Sequence, residues 1–237
     1  MARISVIVPT LNEARTLGAT LDVLTNLPGI LEVIVVDGGS VDKTVPIARK
    51  YNVRLLHARR GRGIQMHAGA QAAQGDIFWF VHADTHPPPN SAREIETILA
   101  QTSVSGGCFT VRFDSSGRQA RFLEWLYAHL RRLGLCYGDA TLFVRRGDYV
   151  RLGGFRPFPL FEDLDLVRRL RAHGRFLCLH AAVITSSPRF EGRGFVRVLV
   201  WWMILQFLYW LGLPPCALAR MYAPIRSRRT RRDYHSC

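Results

Sequence analysis

Apolar runs and amphipathic stretches alternate through the first half of the chain. ISVIVP reads as a buried strand. NEARTLGATLDVLTNL follows with helical spacing, Leu17, Leu21 and Leu24 on one face and Asn12 as its cap. LEVIVVDGG is a second strand, and SVDKTVPIARKYN, opened by Ser40, a second helix. VRLLHA, GIQMHAGAQAAQ, DIFWFVHAD and NSAREIETILAQ then continue as strand, helix, strand, helix. Strands this uniformly apolar are those covered on both faces. Repeated strand–helix units specify an α/β fold: a mixed, mostly parallel sheet with helices on both sides. After Gln101 the pattern changes. GGCFTVRF, TLFVRR and FLCLHAAVITS read as further strands, and residues 119–133 and PLFEDLDLVRRLRAHGR as helices.

No linker-like break interrupts residues 1–192, which we read as one catalytic-type domain. Residues 193–225 form an apolar helical extension, and residues 226–237 a basic tail. Within the extension, residues 198–213 are nearly all apolar. They fall short of the roughly 18–20 residues a clean membrane span needs. Trp201, Trp202, Phe207, Tyr209 and Trp210 suit either packing in the core or across a homodimer, or contact with a membrane surface.

Composition narrows the partners. The chain has 237 residues, is 48% hydrophobic and carries a formal net charge of +14, which favours polyanions. The basic residues are not interleaved with aromatics on a recognisable nucleic-acid module, so phosphorylated small molecules or anionic lipid are preferred over nucleic acid. The five cysteines are scattered without CxxC spacing, which points to reduced thiols rather than a zinc site or disulfide framework. No cleavable leader precedes ISVIVP. The expectation is a cytoplasmic protein, peripheral on the inner face of the membrane if the apolar segment touches lipid.

Polar residues collect where the strands end, which is where ligands bind in open sheets of this kind. Asp37 closes a strand and could accept from ribose hydroxyls or a base N–H, with Gly38 allowing close backbone approach; a simple turn is the alternative. Asp84, at the end of FWFVHAD, could hold a divalent cation bridging two phosphates, or merely cap its turn. Arg62 and Gln65 stand where a loop enters a helix, a favourable place for phosphate or the polar edge of a base. Glu162, Asp163 and Asp165 open a helix. Dipole stabilisation alone would explain them, while general-base work is the functional alternative. His180 could complete a cation site or be structural.

Together the motifs VIVPTLNE, VVDGGSVDKT, FVHADT, GGF and FEDLDL resemble, in order and spacing, family 2 glycosyltransferases of the GT-A fold. GRGIQMHAGAQAAQGDIFWFVHADT, TSSPRF and LGLPPCALARMY are similar to a bacterial subgroup of short members associated with radical-SAM and selenium-domain genes. The resemblance implies inverting transfer of a sugar from a nucleoside-diphosphate donor, UDP-linked, with Mn2+ or Mg2+. Carried over by position, it implies that Pro9, Thr10 and Glu13 line the nucleotide pocket, that Asp37 binds uridine and that Arg62 lies near the nucleotide. Asp84 becomes the last acid of the metal-binding DxD motif, aided by His180, and Asp163 the base, with Glu162 beside it. The acceptor it leaves open, a lipid being the guess that fits the apolar extension.

Three positions depart from the pattern: His82 replaces the first DxD acid, Ala140 a glutamine and Pro188 an arginine. Two other readings compete. A nucleotidyltransferase would share the layout but usually carries a glycine-rich basic loop after the first strand, where this chain has Thr10-Leu11-Asn12-Glu13. A non-catalytic basic membrane-associated binding protein would keep the fold without the chemistry.

Overall fold

The computed structural model describes residues 3–132, 135–186 and 194–222. One eight-stranded sheet organises them. Its strands are β1 (Ile4–Thr10), β2 (Ile30–Asp37), β3 (Arg54–His57), β4 (Ile77–Phe80), β5 (Thr85–His86), β6 (Val104–Phe113), β7 (Phe143–Arg145) and β8 (Arg175–Thr185). Their spatial order is β3-β2-β1-β4-β7-β6-β8-β5. β3, β2, β1 and β4 run parallel, as do β6 and β8, while β7 is antiparallel to both β4 and β6. All of β1 and all of β4 are buried, as their unbroken apolar sequence requires.

The helices are α1 (Leu17–Thr25), α2 (Thr44–Ala48), α3 (Arg62–Ala72), α4 (Ser91–Leu99), α5 (Arg118–Arg132), α6 (Arg146–Arg151), α7 (Glu162–His173), α8 (Phe195–Trp210) and α9 (Pro215–Tyr222). Leu17, Leu21 and Leu24 bury the expected face of α1. Its start differs from expectation. Asn12 adopts a left-handed φ of 58°, and its side chain accepts from the Val41 N–H at 2.9 Å, so it ties the β1 loop to the β2 loop instead of capping α1. Ser40 likewise does not open α2: its hydroxyl donates to Asp37, and Asp42 takes the Thr44 N–H at 2.9 Å.

The apolar extension packs on the main body. Leu205 of α8 and Leu218 of α9 join Leu130, Tyr137, Phe161 and Leu164 in a second hydrophobic cluster. Gln206, the polar interruption, is buried there and accepts from the Tyr137 hydroxyl at 3.1 Å. Core packing therefore accounts for one side of α8. The other side leaves Val196, Val200, Met203, Ile204, Phe207 and Trp210 exposed. Among the described residues no helix is long and apolar enough to cross a membrane. The arginine-rich tail and most of TSSPRF, Pro188 included, lie outside the described residues.

Candidate active site

β1, β2 and β4 end side by side. Thr10 is the register partner of Asp37, and Ile7 that of Phe80. The loops leaving these ends, together with the start of α7 and the 3-10 turn Gly138–Ala140, form one polar rim.

The centre of the rim is an ion cluster. Glu162 and Asp163 sit in the first turn of α7, both almost fully buried. The Arg62 guanidinium, at the start of α3, bonds Glu162 through Nε and lies 3.6 Å from Asp163 Oδ2 through Nη2. The Gly138 N–H donates to Asp163 Oδ2 at 2.6 Å, and the Leu164 N–H to Oδ1 at 2.7 Å. Burial, and then the charge of Glu162, push the Asp163 carboxyl above its ordinary range, against the pull of Arg62 and the two N–H groups. Asp165 is different: Arg169 grips it with two nitrogens at 2.7 and 2.9 Å, and Arg156 adds a third at 3.3 Å. It is a structural acid.

Gly138 leaves space between two side chains. A Cβ there would meet both Asp163 Oδ2 and His82 Nε2 at 3.2 Å. The two functional groups thus close on the same bare backbone position. His82 directs Nδ1 at Asp139 Oδ1 (3.3 Å), and Tyr127 donates to Asp139 Oδ2 at 3.2 Å. Burial raises the Asp139 carboxyl, but the His82 hydrogen bond, together with the charges of His82 and Arg62, outweighs it and holds the group at about 2. The other imidazole nitrogen, Nε2, is buried without a hydrogen-bond partner among the described residues.

Asp84 lies two residues beyond His82. It accepts from Thr85 and Thr185 hydroxyls at 3.4 Å and from the Ser186 hydroxyl. No cationic side chain among the described residues pairs with it. Glu13 is close enough to feel it: burial, then the Asp84 charge, raise the Glu13 carboxyl, while Thr16 and His82 oppose. One unneutralised carboxylate, a second beside it and an unpartnered imidazole nitrogen are oxygen and nitrogen donors of the kind that Mn2+ and Mg2+ accept. Their donor chemistry suits such a cation, although the ligand atoms of Asp84, Glu13 and His82 do not all lie within 4.8 Å of one another. Glu13 therefore belongs to the acidic side of the rim as much as to a nucleotide pocket.

His180 does not join them. It is exposed on β8, five residues before Thr185, the residue that reaches Asp84. At about 3.3 Å per strand residue that is at most about 17 Å along β8, shortened somewhat by the bulge between Cys178 and Ala182. The expectation that His180 ligates with Asp84 is corrected; the imidazole at hand is His82.

Two further expectations change. Gln65 is buried, and its amide N–H groups donate to the Thr10 and Val36 carbonyls, each at 2.8 Å. Both donors are spent joining β1 to β2, so Gln65 holds the floor of the site instead of touching phosphate. Gly38 is bare for the same reason, since a Cβ there would lie 2.9 Å from the Gln65 amide. Asp37 is buried and accepts from the Gly39 and Ser40 N–H groups at 2.9 Å, from the Ser40 hydroxyl and, at 3.4 Å, from Thr10. A carboxylate offers about four acceptor positions. Those of Asp37 are largely used in shaping its own turn. Pro9 is buried within β1.

Asp139 and Gly138 were not foreseen. Neither has a local signal beyond a Gly-Asp pair in a loop, and both act through contacts with residues distant in sequence. Among the described residues, the three non-glycine ones with left-handed backbones, Asn12, Thr141 and Phe161, all flank these loops. Phe161 immediately precedes the acid pair. Such strain costs of order 1 kcal/mol per residue and gathers where side chains must be aimed.

A sheet of this order with an acid-lined rim at its strand ends defines a nucleotide-sugar-transferase type of architecture. The sequence profile of "Glycosyl transferase family 2" matches residues 5–153, and the chain belongs to that family. The PGL/p-HBAD biosynthesis glycosyltransferase of Mycobacterium tuberculosis is 36% identical over 200 residues, which cover 77% of this chain and 75% of that protein. A glucosyl-3-phosphoglycerate synthase of Petrotoga mobilis is 29% identical over 96 residues, covering 35% of this chain and 30% of the relative's length. Two solved structures share the GT-A fold. The mannosyltransferase PcManGT of Pyrobaculum calidifontis, in complex with GDP-Man and Mn2+, gives a TM-score of 0.67 at 22% identity, over 86% of this chain and 62% of that one. Glucosyl-3-phosphoglycerate synthase of M. tuberculosis with Mn2+ and UDP-glucose gives 0.64 at 22%, over 90% and 80%.

Proposed function

We propose that this chain transfers a sugar from a nucleoside-diphosphate donor, UDP-linked, to an acceptor hydroxyl with inversion at the anomeric carbon. The observation that carries the reading is the placement of Asp163. It is a buried carboxylate fixed by two backbone N–H groups, beside Arg62 and across Gly138 from His82.

Asp84, with His82 Nε2 and Glu13 to hand, would hold Mn2+ or Mg2+. That ion supplies positive charge against the donor diphosphate. The rest is the chain's own work. Arg62, whose side chain is 41% exposed, would add a second positive charge there. The Asp37 turn, with Thr10 and Gly38, shapes the pocket for the nucleoside. Asp163 takes the proton from the acceptor hydroxyl as its oxygen bonds to the anomeric carbon. The bond from that carbon to the diphosphate oxygen breaks on the opposite face, which inverts the centre. A base must be ionised to act, so the raised Asp163 carboxyl places the acid limb of activity above the ordinary aspartate range.

The exposed apolar face of α8, with Phe122 and Trp125 exposed on α5, supports a lipid-borne acceptor and peripheral contact with a membrane surface. Incubating the full chain with UDP- and GDP-sugars, Mn2+ and lipid extracts tests the reading. Release of nucleoside diphosphate with sugar on the lipid is expected, and Asp163→Asn should abolish transfer while leaving donor binding intact. Release of pyrophosphate would favour nucleotidyl transfer, and full activity in Asp163→Asn would remove it as the base.

A further inference from the structure

Three of the five cysteines meet, although nothing in their spacing announces it. Cys108 on β6 and Cys178 on β8 are register partners on neighbouring parallel strands. Their sulfurs are 3.1 Å apart, and the Cys136 sulfur, from the loop before the Gly138 turn, lies 3.5 Å from that of Cys178. All three lie within 4.8 Å of one another. Cys108 and Cys136 are buried, and Cys178 is partly so.

From this geometry we propose that Cys108, Cys136 and Cys178 form a binding site for one thiophilic d10 cation, Zn2+ or Cu+, separate from the divalent site at the rim. Metal–sulfur bonds of about 2.3 Å place ligand sulfurs about 3.8 Å apart. The separations from Cys178, 3.1 and 3.5 Å, are both shorter than that, so shifts of under about 1 Å would complete the set. Soft thiolates select such ions over Mg2+ or Mn2+. Arg131 and Arg171 both bear electrostatically on Cys178 and would offset the charge of three thiolates. Arg131 is held nearby by a bond to the Thr110 hydroxyl. Hydrogen bonds from the other two thiols, then the arginines, favour the Cys178 thiolate, while Cys108 and Cys136 are pushed up. Binding requires deprotonated sulfurs and so releases protons to solvent. A cavity of about 20 Å³ lies beside Cys136, lined also by Thr110, Glu124, Tyr127 and Arg131, and has room for one water.

The consequence reaches the rim. Cys136 lies two residues before Gly138, whose N–H fixes Asp163. A cation there would pin the Gly138–Asp139 loop to β6 and β8, acting on catalysis by position alone.

The test uses the full chain, purified without oxygen and titrated with Cd2+ as the spectroscopic probe. One equivalent should raise the thiolate-to-metal absorption band, protect three thiols from a disulfide reagent and be retained in native mass spectra. Cys178→Ser and Cys136→Ser should each weaken Cd2+ by at least about tenfold, and Cys216→Ser should not. Three freely reacting thiols in the presence of stoichiometric Cd2+ would overturn the proposal. So would a Cys108–Cys178 disulfide as the resting state of the anaerobic protein.

Discussion

Arg62→Met probes the ion cluster without any substrate. The change keeps much of the stem but removes the cation beside two carboxylates that are each at most 5% exposed at the side chain. Breaking a buried ion pair costs about 3–5 kcal/mol because a charge is left unpaired. The Arg62 side chain is 41% exposed, so solvent already screens part of its field. A loss of about 2 kcal/mol at pH 8 is the reasonable figure after that discount. The sign with pH follows from the acids. The penalty exists while Asp163 is ionised, and removing Arg62, which pulls its carboxyl down, raises it further. As pH falls through that raised value Asp163 takes up a proton and its part of the penalty disappears. Urea unfolding of wild type and Arg62→Met at pH 8 and pH 4 measures it. A gap of about 2 kcal/mol at pH 8, with a melting-point drop of about 4–8 °C, should be smaller at pH 4. Arg62→Lys should recover part of it. A pH-independent difference, or none, would refute the electrostatic account.

Other perturbations follow from the same geometry. Asp84→Ala should weaken Mn2+-supported donor binding at least tenfold and lower the Glu13 carboxyl, since Asp84 helps hold it up; calorimetry and carboxyl NMR read the two effects. Gly138→Ala places a methyl 3.2 Å from Asp163 Oδ2 and His82 Nε2, and should cut kcat by about 10–100-fold with stability changed by under about 1 kcal/mol. Asp139, held at about 2, stabilises the fold above its ordinary value of 3.8, and that contribution is lost as pH falls toward 2. With its side chain about a third exposed, the screened contribution is about 1 kcal/mol, so the urea midpoints of wild type and Asp139→Asn should converge between pH 5 and pH 2.

The sheet and most helices were legible because their signals are local. ISVIVP and DIFWFVHAD are unbroken apolar runs, and Leu17, Leu21 and Leu24 keep helical spacing. The caps were misread where a side chain had a better partner across the fold. Asn12 and Ser40 look like helix starters, yet each is used to lock the loops after β1 and β2 together. Asp163 and Asp84 were singled out through motif order, and their roles are proposals. Gln65 and His180 have the right chemistry, but side-chain direction and strand position, which one chain does not encode locally, take them out of ligand contact. His82 shows the reverse. It reads as a weak substitute for an acid, and the fold leaves its Nε2 buried, beside Gly138 and without a hydrogen-bond partner among the described residues. The cysteine cluster was invisible for the same reason, since only the β6–β8 register brings Cys108 to Cys178.

The account stands on the rim acting as a grip for a sugar nucleotide and its cation. Calorimetric titration of UDP into the wild-type chain and into Asp84→Ala, each with and without Mn2+, addresses that directly. Saturable binding by the wild type that weakens at least tenfold when either Mn2+ or the Asp84 carboxylate is removed is the predicted result. Absence of UDP binding under all four conditions, or equal binding in all four, would contradict it.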